Sequence, residues 1–365
     1  MSKQTIHIDA FKNIPDSQRI SIHSNLYKDD WVLVDVRSPA EYLKGHIPTA
    51  INIPLFTNEE RAEIGILYKE KGKQQAVLKG LELAGSKLHQ FAKEAFRLSK
   101  GRPLFCYCWR GGMRSASMAW LFNMAGIQTH ILEGGYKAYR NFVLNGFQKM
   151  KLQILILGGK TGIGKTKLLM QLKQIGEPVL DLEGIAHHKG SAFGWIGEEV
   201  QNTNEQFENN LHKELASIES QYNYVWLENE SRSIGSNFIP EALWNQMKSS
   251  VLIDVQRSLE RRVEILVESY ATTNAQDLIL SFQKIEKRLG HEATAKAIQA
   301  IEVNNLREAA AIALFYYDKC YTYNLEQNQS PEIIHCTFGD NSEDEIIDEL
   351  LRYKNIILNG KEITH

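Results

Sequence analysis

The residue types that suit chemistry begin with Cys108. It closes the run PLFCYC, which reads as a buried strand, and it is followed by WRGGMRS. The segment RSASMAWLFNMAG then carries small and apolar residues at helical spacing and stops at Gly126. A cysteine at a strand-to-helix turn lies where backbone N–H groups and the positive end of the helix converge. Arg110 and Arg114 add positive charge, and Gly111 and Gly112 let the backbone curl around an anion. Such surroundings favour the thiolate, the nucleophilic form of cysteine. Cys108 is therefore the candidate nucleophile, with Arg110 and Arg114 beside it. Cys106, two residues back along the strand, reads as a packed core thiol.

A second constellation occupies residues 159–166, GKTGIGKT, a full G-x-x-x-x-G-K-[ST] that follows the strand LQILIL and opens the helix TKLLMQLKQI. Gly159, Gly162 and Gly164 supply the turns of such a phosphate-binding loop (P-loop). Backbone N–H groups from Gly162 to Lys165 would cradle phosphates, Lys165 would reach terminal oxygens, and Thr166 could hold Mg²⁺. Later strands bring acids to the same region, because ligands of open α/β sheets bind at the carboxyl ends of strands. PVLDLEG places Asp181 and Glu183 at one predicted strand end, and YVWLENESRSIG places Glu228, Glu230, Ser231 and Arg232 at another. A nucleotide-hydrolysing site usually has Asp there, so Glu228-Asn229-Glu230 departs from ordinary ATP hydrolysis. His187 and His188 read as phosphate or RNA contacts; being adjacent they splay apart, and no metal site is assigned. Arg261-Arg262 and Lys287-Arg288 are candidates for a basic lid that contacts RNA, although each pair alone reads as a solvated helix face.

The elements around these motifs predict an α/β chain of two domains. WVLVDV, AINIPL, PLFCYC and THILE read as buried strands of a parallel sheet, with a mostly helical stretch from about Thr57 to Lys100. The boundary falls near Gln148–Leu152, giving domains of 1–148 and 149–365. In the second, LQILIL, PVLDL, YVWLE and SVLIDV read as strands, and EIIHC as a late one. A long helical pattern runs from Arg257 to about Tyr323, and SEDEIIDELLRYK closes the domain.

The length of 365 residues accommodates two hydrophobic cores. No apolar run approaches the ~18 residues of a membrane span, and MSKQTIHIDAFKN lacks the pattern of a signal peptide. The four cysteines are too few and too irregularly spaced for a disulfide framework or a zinc site, so a reducing cytoplasm is expected. The net charge of −2 conceals an asymmetry: residues 1–145 carry 20 Lys+Arg against 13 Asp+Glu, and the remainder 22 against 31. A basic first half suits a polyanionic partner, and equally a merely solvated basic surface.

Over residues 20–142 the sequence resembles the rhodanese family. The resemblance rests on a strand ending at Asp35, then Arg37, Glu41, the turn Gly45-His46-Ile47-Pro48, Asn52-Ile53-Pro54 and the Cys108 loop. It implies a loop cysteine that accepts a chalcogen atom and hands it on, with Asp35 and Arg37 bracing the loop. Taken together, CWRGGMRS, GGYKAYR, GKTGIGKT, DLEGIAHHKGSAFG, ENESRSIG and YYDKCY make the chain similar to the tRNA 2-selenouridine synthases over essentially its whole length. That resemblance implies exchange of sulfur for selenium on 2-thiouridine at the tRNA wobble position. It implies selenophosphate as donor, an S-geranylated intermediate formed from geranyl diphosphate, no tightly bound cofactor, and a selenophosphate-producing enzyme as a possible partner. Three alternatives remain at this point. Cys108 and Arg114 also fit the C-x5-R of cysteine phosphatases, although Tyr107 stands where those enzymes usually have His. The chain also fits a sulfurtransferase or inert rhodanese module coupled to a P-loop kinase or NTPase, or a non-catalytic RNA-binding protein.

Overall fold

A computed structural model describes residues 19–22, 24–27, 30–327, 330–338 and 342–360. The chain divides into two compact units, one of residues up to Gly146 together with the short segment Glu208–Lys213, the other of the remaining residues.

The first unit contains β1 (Arg19–Ile20), β2 (Val32–Asp35), α1 (Pro39–Lys44), β3 (Ile51–Asn52), α2 (Asn58–Gly85), α3 (Leu88–Ser99), β4 (Leu104–Tyr107), α4 (Met113–Met124), β5 (Thr129–Leu132) and α5 (Gly135–Lys149). Its five strands pair in parallel in the order β1-β5-β4-β2-β3. A parallel sheet covered on both faces needs apolar side chains in both directions, which is why Val32–Asp35 and Leu104–Tyr107 are buried at every position. The register sets Val34 opposite Cys106 and Asp35 opposite Tyr107, so the carboxyl ends of β2 and β4 finish side by side. The expected helical stretch is two helices, and α2 kinks at Gly72, whose φ is 82°.

The second unit contains β6 (Gln153–Gly158), α6 (Lys165–Gln174), α7 (Leu182–Ala186), α8 (Asn204–Glu219), β7 (Tyr224–Glu228), β8 (Ser233–Ile234), β9 (Asn237–Phe238), α9 (Glu241–Lys248), β10 (Val251–Gln256), α10 (Leu259–Tyr270), α11 (Ala275–Leu289), α12 (His291–Glu302), α13 (Leu306–Glu326), β11 (Ile333–Thr337) and α14 (Glu343–Leu358). The parallel order β11-β10-β6-β7 puts the P-loop strand β6 inside the sheet, with Asp254 of β10 opposite Gly158 and Glu228 of β7 opposite Leu157. Core side chains from this sheet pack against α6 and α14, and a separate apolar cluster forms where α11, α12 and α13 meet. One expected strand is absent as such: PVLDL makes a single parallel bridge, Val179 to Trp226, and turns directly into α7. Asp181 explains the switch. Its side chain accepts from Gly184 N (2.8 Å) as an N-cap, and helix formation wins over sheet extension. No helix among the described residues is long and apolar enough to cross a membrane.

Candidate functional site

Cys108 follows the last residue of β4, in a loop shaped by its neighbours' backbones. Its Sγ lies 3.2 Å from the N–H of Gly112, which caps α4, and 3.3 Å from the buried Ser115 hydroxyl. The sulfur is thus held at a helix N-terminus by a backbone donor, as the sequence predicted. Across the loop, Tyr136 N donates to Cys108 O and Lys137 N to Trp109 O, each at 2.9 Å. This close approach accounts for the glycines of GGYKAYR. A Cβ on Gly135, at φ 59°, would stand 2.3 Å from Cys108 O and 2.4 Å from Gly111 N.

The bracing role of Asp35 and Arg37 is visible in detail. Arg37, 1% exposed, grips Asp35 through two nitrogens (2.6 and 3.0 Å), donates to Gly45 O (2.6 Å) and lies 3.9 Å from the ring centre of Tyr136. Cys106 is fully buried, and burial pushes its thiol far above the usual range, consistent with a core residue. The two arginines differ from each other. Arg110 is exposed beside Cys108. Arg114 is committed to Glu41 through Nη1 (2.6 Å) and Nη2 (3.2 Å). Burial alone would raise the Glu41 carboxyl, but the charge and hydrogen bonds of Arg114 hold it below the usual carboxylate value. Arg114 is thus oriented by an ion pair with a carboxylate from α1. Glu41, noted in the sequence only as part of a pattern, is the partner that sets the position of Arg114.

In the second unit the P-loop takes the form its glycines require. Gly159, Gly162 and Gly164 have φ of 138°, 85° and 87°, and a Cβ on Gly159 would meet Val255 O at 2.5 Å. Lys165 Nζ donates to Gly159 O (3.1 Å), and Thr166 Oγ1 to Glu183 Oε2 (3.3 Å). Tyr321 O–H donates to Asp254 and accepts from Gly159 N (2.8 Å), while His335 Nδ1 lies 2.9 Å from the other Asp254 oxygen. Asp254 is the acid of the predicted strand SVLIDV, one residue before its end, and an acid near a strand's carboxyl end was the available signal.

The candidate acids separate. Glu183, Glu228 and Glu230 converge, whereas Asp181 is spent on capping α7. Burial and mutual repulsion push all three glutamates up, Glu230 to about 7. The glycines of DLEGIAHHKGSAFG make room for this packing: a Cβ on Gly190 would stand 2.4 Å from Glu230 Oε2, and one on Gly194 2.8 Å from the His188 ring. His187, with φ 52°, ends α7, and both histidines are half-buried. Burial, then the charge of Lys284, pushes His188 down. Ser231 and Arg232 are exposed; Ser231 Oγ donates to Ser233 O at 2.6 Å, and both line a cavity of about 260 Å³ with Glu230, Trp244 and Tyr321.

The proposed lid is corrected at one residue. Arg262 is 3% exposed, paired at 2.7 Å through each of two nitrogens with Asp318, and donates to Thr161 O (3.1 Å), so it supports the P-loop from inside. Its place on the buried side of α10, next to the half-exposed Arg261, was hidden by reading the pair as one unit. Lys287 and Arg288 are exposed in the last turn of α11.

Comparison with known proteins agrees with this arrangement. The model of the rhodanese-like domain matches residues 21–142, and that of the tRNA 2-selenouridine synthase AAA domain matches residues 152–353. The chain belongs to the tRNA 2-selenouridine synthase family. It is 34% identical to the tRNA 2-selenouridine synthase of Marinobacter nauticus, over 85% of this chain and 92% of that protein. It is 35% identical to that of Proteus mirabilis, over 83% and 91%. Within this member of the family, the motif YYDKCY acquires a structural meaning: the Tyr317 hydroxyl accepts from Ala192 N (3.2 Å), Asp318 holds Arg262, and Tyr321 accepts from Gly159 N.

Proposed function

We propose that this chain replaces sulfur by selenium in 2-thiouridine at the wobble position of cytoplasmic tRNA, with Cys108 as the covalent nucleophile. The observation that carries the reading is the Cys108 sulfur set on the Gly112 N–H at the head of α4, in a chain of this family. Selenophosphate is the donor in this reading, supplied by a selenophosphate-producing enzyme. Its selenium, already at the selenide level, bonds to the base carbon while hydrolysis of the P–Se bond releases phosphate, and the Cys108 thiolate serves as a covalent nucleophile on that carbon.

Geranyl diphosphate is the proposed ligand of the P-loop. Thr161 of that loop borders an apolar pocket lined by Phe193, Tyr270, Leu278, Phe282 and Tyr317, a setting that supports a diphosphate carrying a hydrocarbon chain. Attack by the thiocarbonyl sulfur on the geranyl carbon would release diphosphate. The Cys108 thiolate adding at C2 would then expel the alkylated sulfur as a thiol, a better leaving group than the parent thiocarbonyl sulfur, and selenium would in turn displace the Cys108 thiolate from that carbon. Arg110, Arg261, Lys287 and Arg288 are exposed or half-exposed and suit contact with the RNA backbone.

The test is mass spectrometry of nucleosides from 2-thiouridine tRNA incubated with the protein, selenophosphate and geranyl diphosphate. Cys108→Ser should accumulate S-geranylated base and make no selenouridine. Selenouridine at the normal rate from that variant would show that Cys108 is not the nucleophile.

A further inference from the structure

Glu183 sits in the first turn of α7, Glu228 at the end of β7, and Glu230 two residues beyond it. Each offers one carboxylate oxygen, and these oxygens lie within 4.8 Å of one another. The Thr166 hydroxyl of the P-loop touches Glu183 at 3.3 Å. A second observation is independent of this clustering. Glu228 is 1% exposed, and its Oε1, shielded from solvent, has no hydrogen-bond partner among the described residues. Buried carboxylate oxygens are ordinarily satisfied, and the other acids of this region are: Asp254 by Tyr321 and His335, and Asp318 by Arg262. Lys165 is the cation of the P-loop near the cluster, and its Nζ is turned to Gly159 O. A positive ion between the three glutamates would hold them as carboxylates and offset their charge beside a loop built for phosphate.

We propose that Glu183, Glu228 and Glu230, with the Thr166 hydroxyl, bind a divalent cation of the magnesium class before any phosphate ligand arrives. Oxygen donors alone select hard cations such as Mg²⁺ or Mn²⁺. A magnesium ion that accompanies a nucleotide is usually held by one or two carboxylates plus the substrate's own phosphates. Here the protein supplies four oxygens, from three separate segments, so the ion does not depend on a phosphate to complete its site. Next to Thr166 it would turn a repulsive rim into an attractive one for a diphosphate. The inference rests on the P-loop being a phosphate site, but not on which phosphate compound it holds.

The experiment titrates Mn²⁺ into the full-length protein without phosphate or diphosphate, following free Mn²⁺ by electron paramagnetic resonance. One bound ion per chain is expected, displaced by excess Mg²⁺ and not by Na⁺. Glu228→Gln and Glu230→Gln should each weaken binding at least about tenfold, the loss seen even for outer partners of metal ligands. Melting curves check that the variants fold; should Glu228→Gln fail to, Glu230→Gln and Glu183→Gln decide the matter. Absence of Mn²⁺ binding at millimolar concentration, or equal binding by the folded variants, overturns the proposal. Geranyl diphosphate binding is measured separately. Mn²⁺ bound without affinity for geranyl diphosphate would sink the ligand reading and leave the cation site standing, and the converse would sink the cation site alone.

Discussion

Replacing Gly135 by Ala should disable Cys108 without touching it. Gly135 opens α5 with φ 59°, and a methyl group there would lie 2.3 Å from Cys108 O, 2.4 Å from Gly111 N and 3.0 Å from the Arg110 carbonyl carbon. All three are backbone atoms, so no side chain can swing aside. Restoring ordinary contact requires the cysteine loop and the start of α5 to part by about 1 Å. A displacement of that size at a reacting group costs on the order of 100-fold in rate, while the left-handed backbone adds about 1–2 kcal/mol of destabilisation. Gly126→Ala isolates the second effect. Gly126 has φ 86°, and a methyl group there meets nothing within 4 Å. Both variants should melt lower, but only Gly135→Ala should lose conversion of 2-thiouridine to selenouridine in tRNA, read by mass spectrometry. Full activity in Gly135→Ala, or equal loss in Gly126→Ala, would refute the claim that α5 sets the sulfur's position.

Cys106→Ser should lower stability by about 1–3 kcal/mol, because it puts a hydroxyl in a fully buried apolar site, and should leave the activity of the folded protein near normal; a dead but well-folded variant would reverse the roles of the two thiols. Lys165→Ala should weaken geranyl diphosphate binding at least about tenfold, the effect of losing one charge-assisted contact, and should depress S-geranylation measured on thiolated tRNA. His212 gives the pH dependence: burial, then the charge of Arg140, depresses it to about 4, against about 6.5 when unfolded. Its neutral form therefore favours the fold fully above pH 6.5, and about 3 kcal/mol is lost as the pH falls to 4; His212→Gln should flatten that part of the stability curve from denaturant melts.

What was legible in the sequence is what backbone chemistry and period write locally. The P-loop glycines need positive φ, Cys108 needs a strand on one side and a helix on the other, and both patterns lie within a dozen contiguous residues. The parallel sheets followed from apolar runs separated by helical patterns. What the sequence leaves unsaid are partners far along the chain. Nothing near Arg114 announces its ion pair with Glu41 of α1. Arg262 reads as surface until Asp318 meets it from α13. PVLDL has strand composition, but Asp181 caps the helix that follows, and the cap decides. Glu183, Glu228 and Glu230 were legible as acids of one region at strand ends, whereas Asp181, expected beside them, is taken by the cap of α7.

The contacts of α13 bear on how the P-loop works. Tyr317, Asp318 and Tyr321 have the helical spacing i, i+1 and i+4, which turns them toward one side of the helix. They hold, in turn, the Ala192 N–H, Arg262 with its bond to Thr161 O, and the Gly159 N–H. Two backbone groups of the P-loop are thus occupied by side chains, and the N–H at Gly159 is unavailable to a ligand. The phosphate cradle must then come from the later N–H groups, Gly162 to Lys165, at the head of α6. A loop fixed in this way needs little rearrangement on binding, so less of the ligand's interaction energy goes into ordering the protein. In this chain YYDKCY braces the loop, and Tyr317 and Tyr321 act through the backbone they hold.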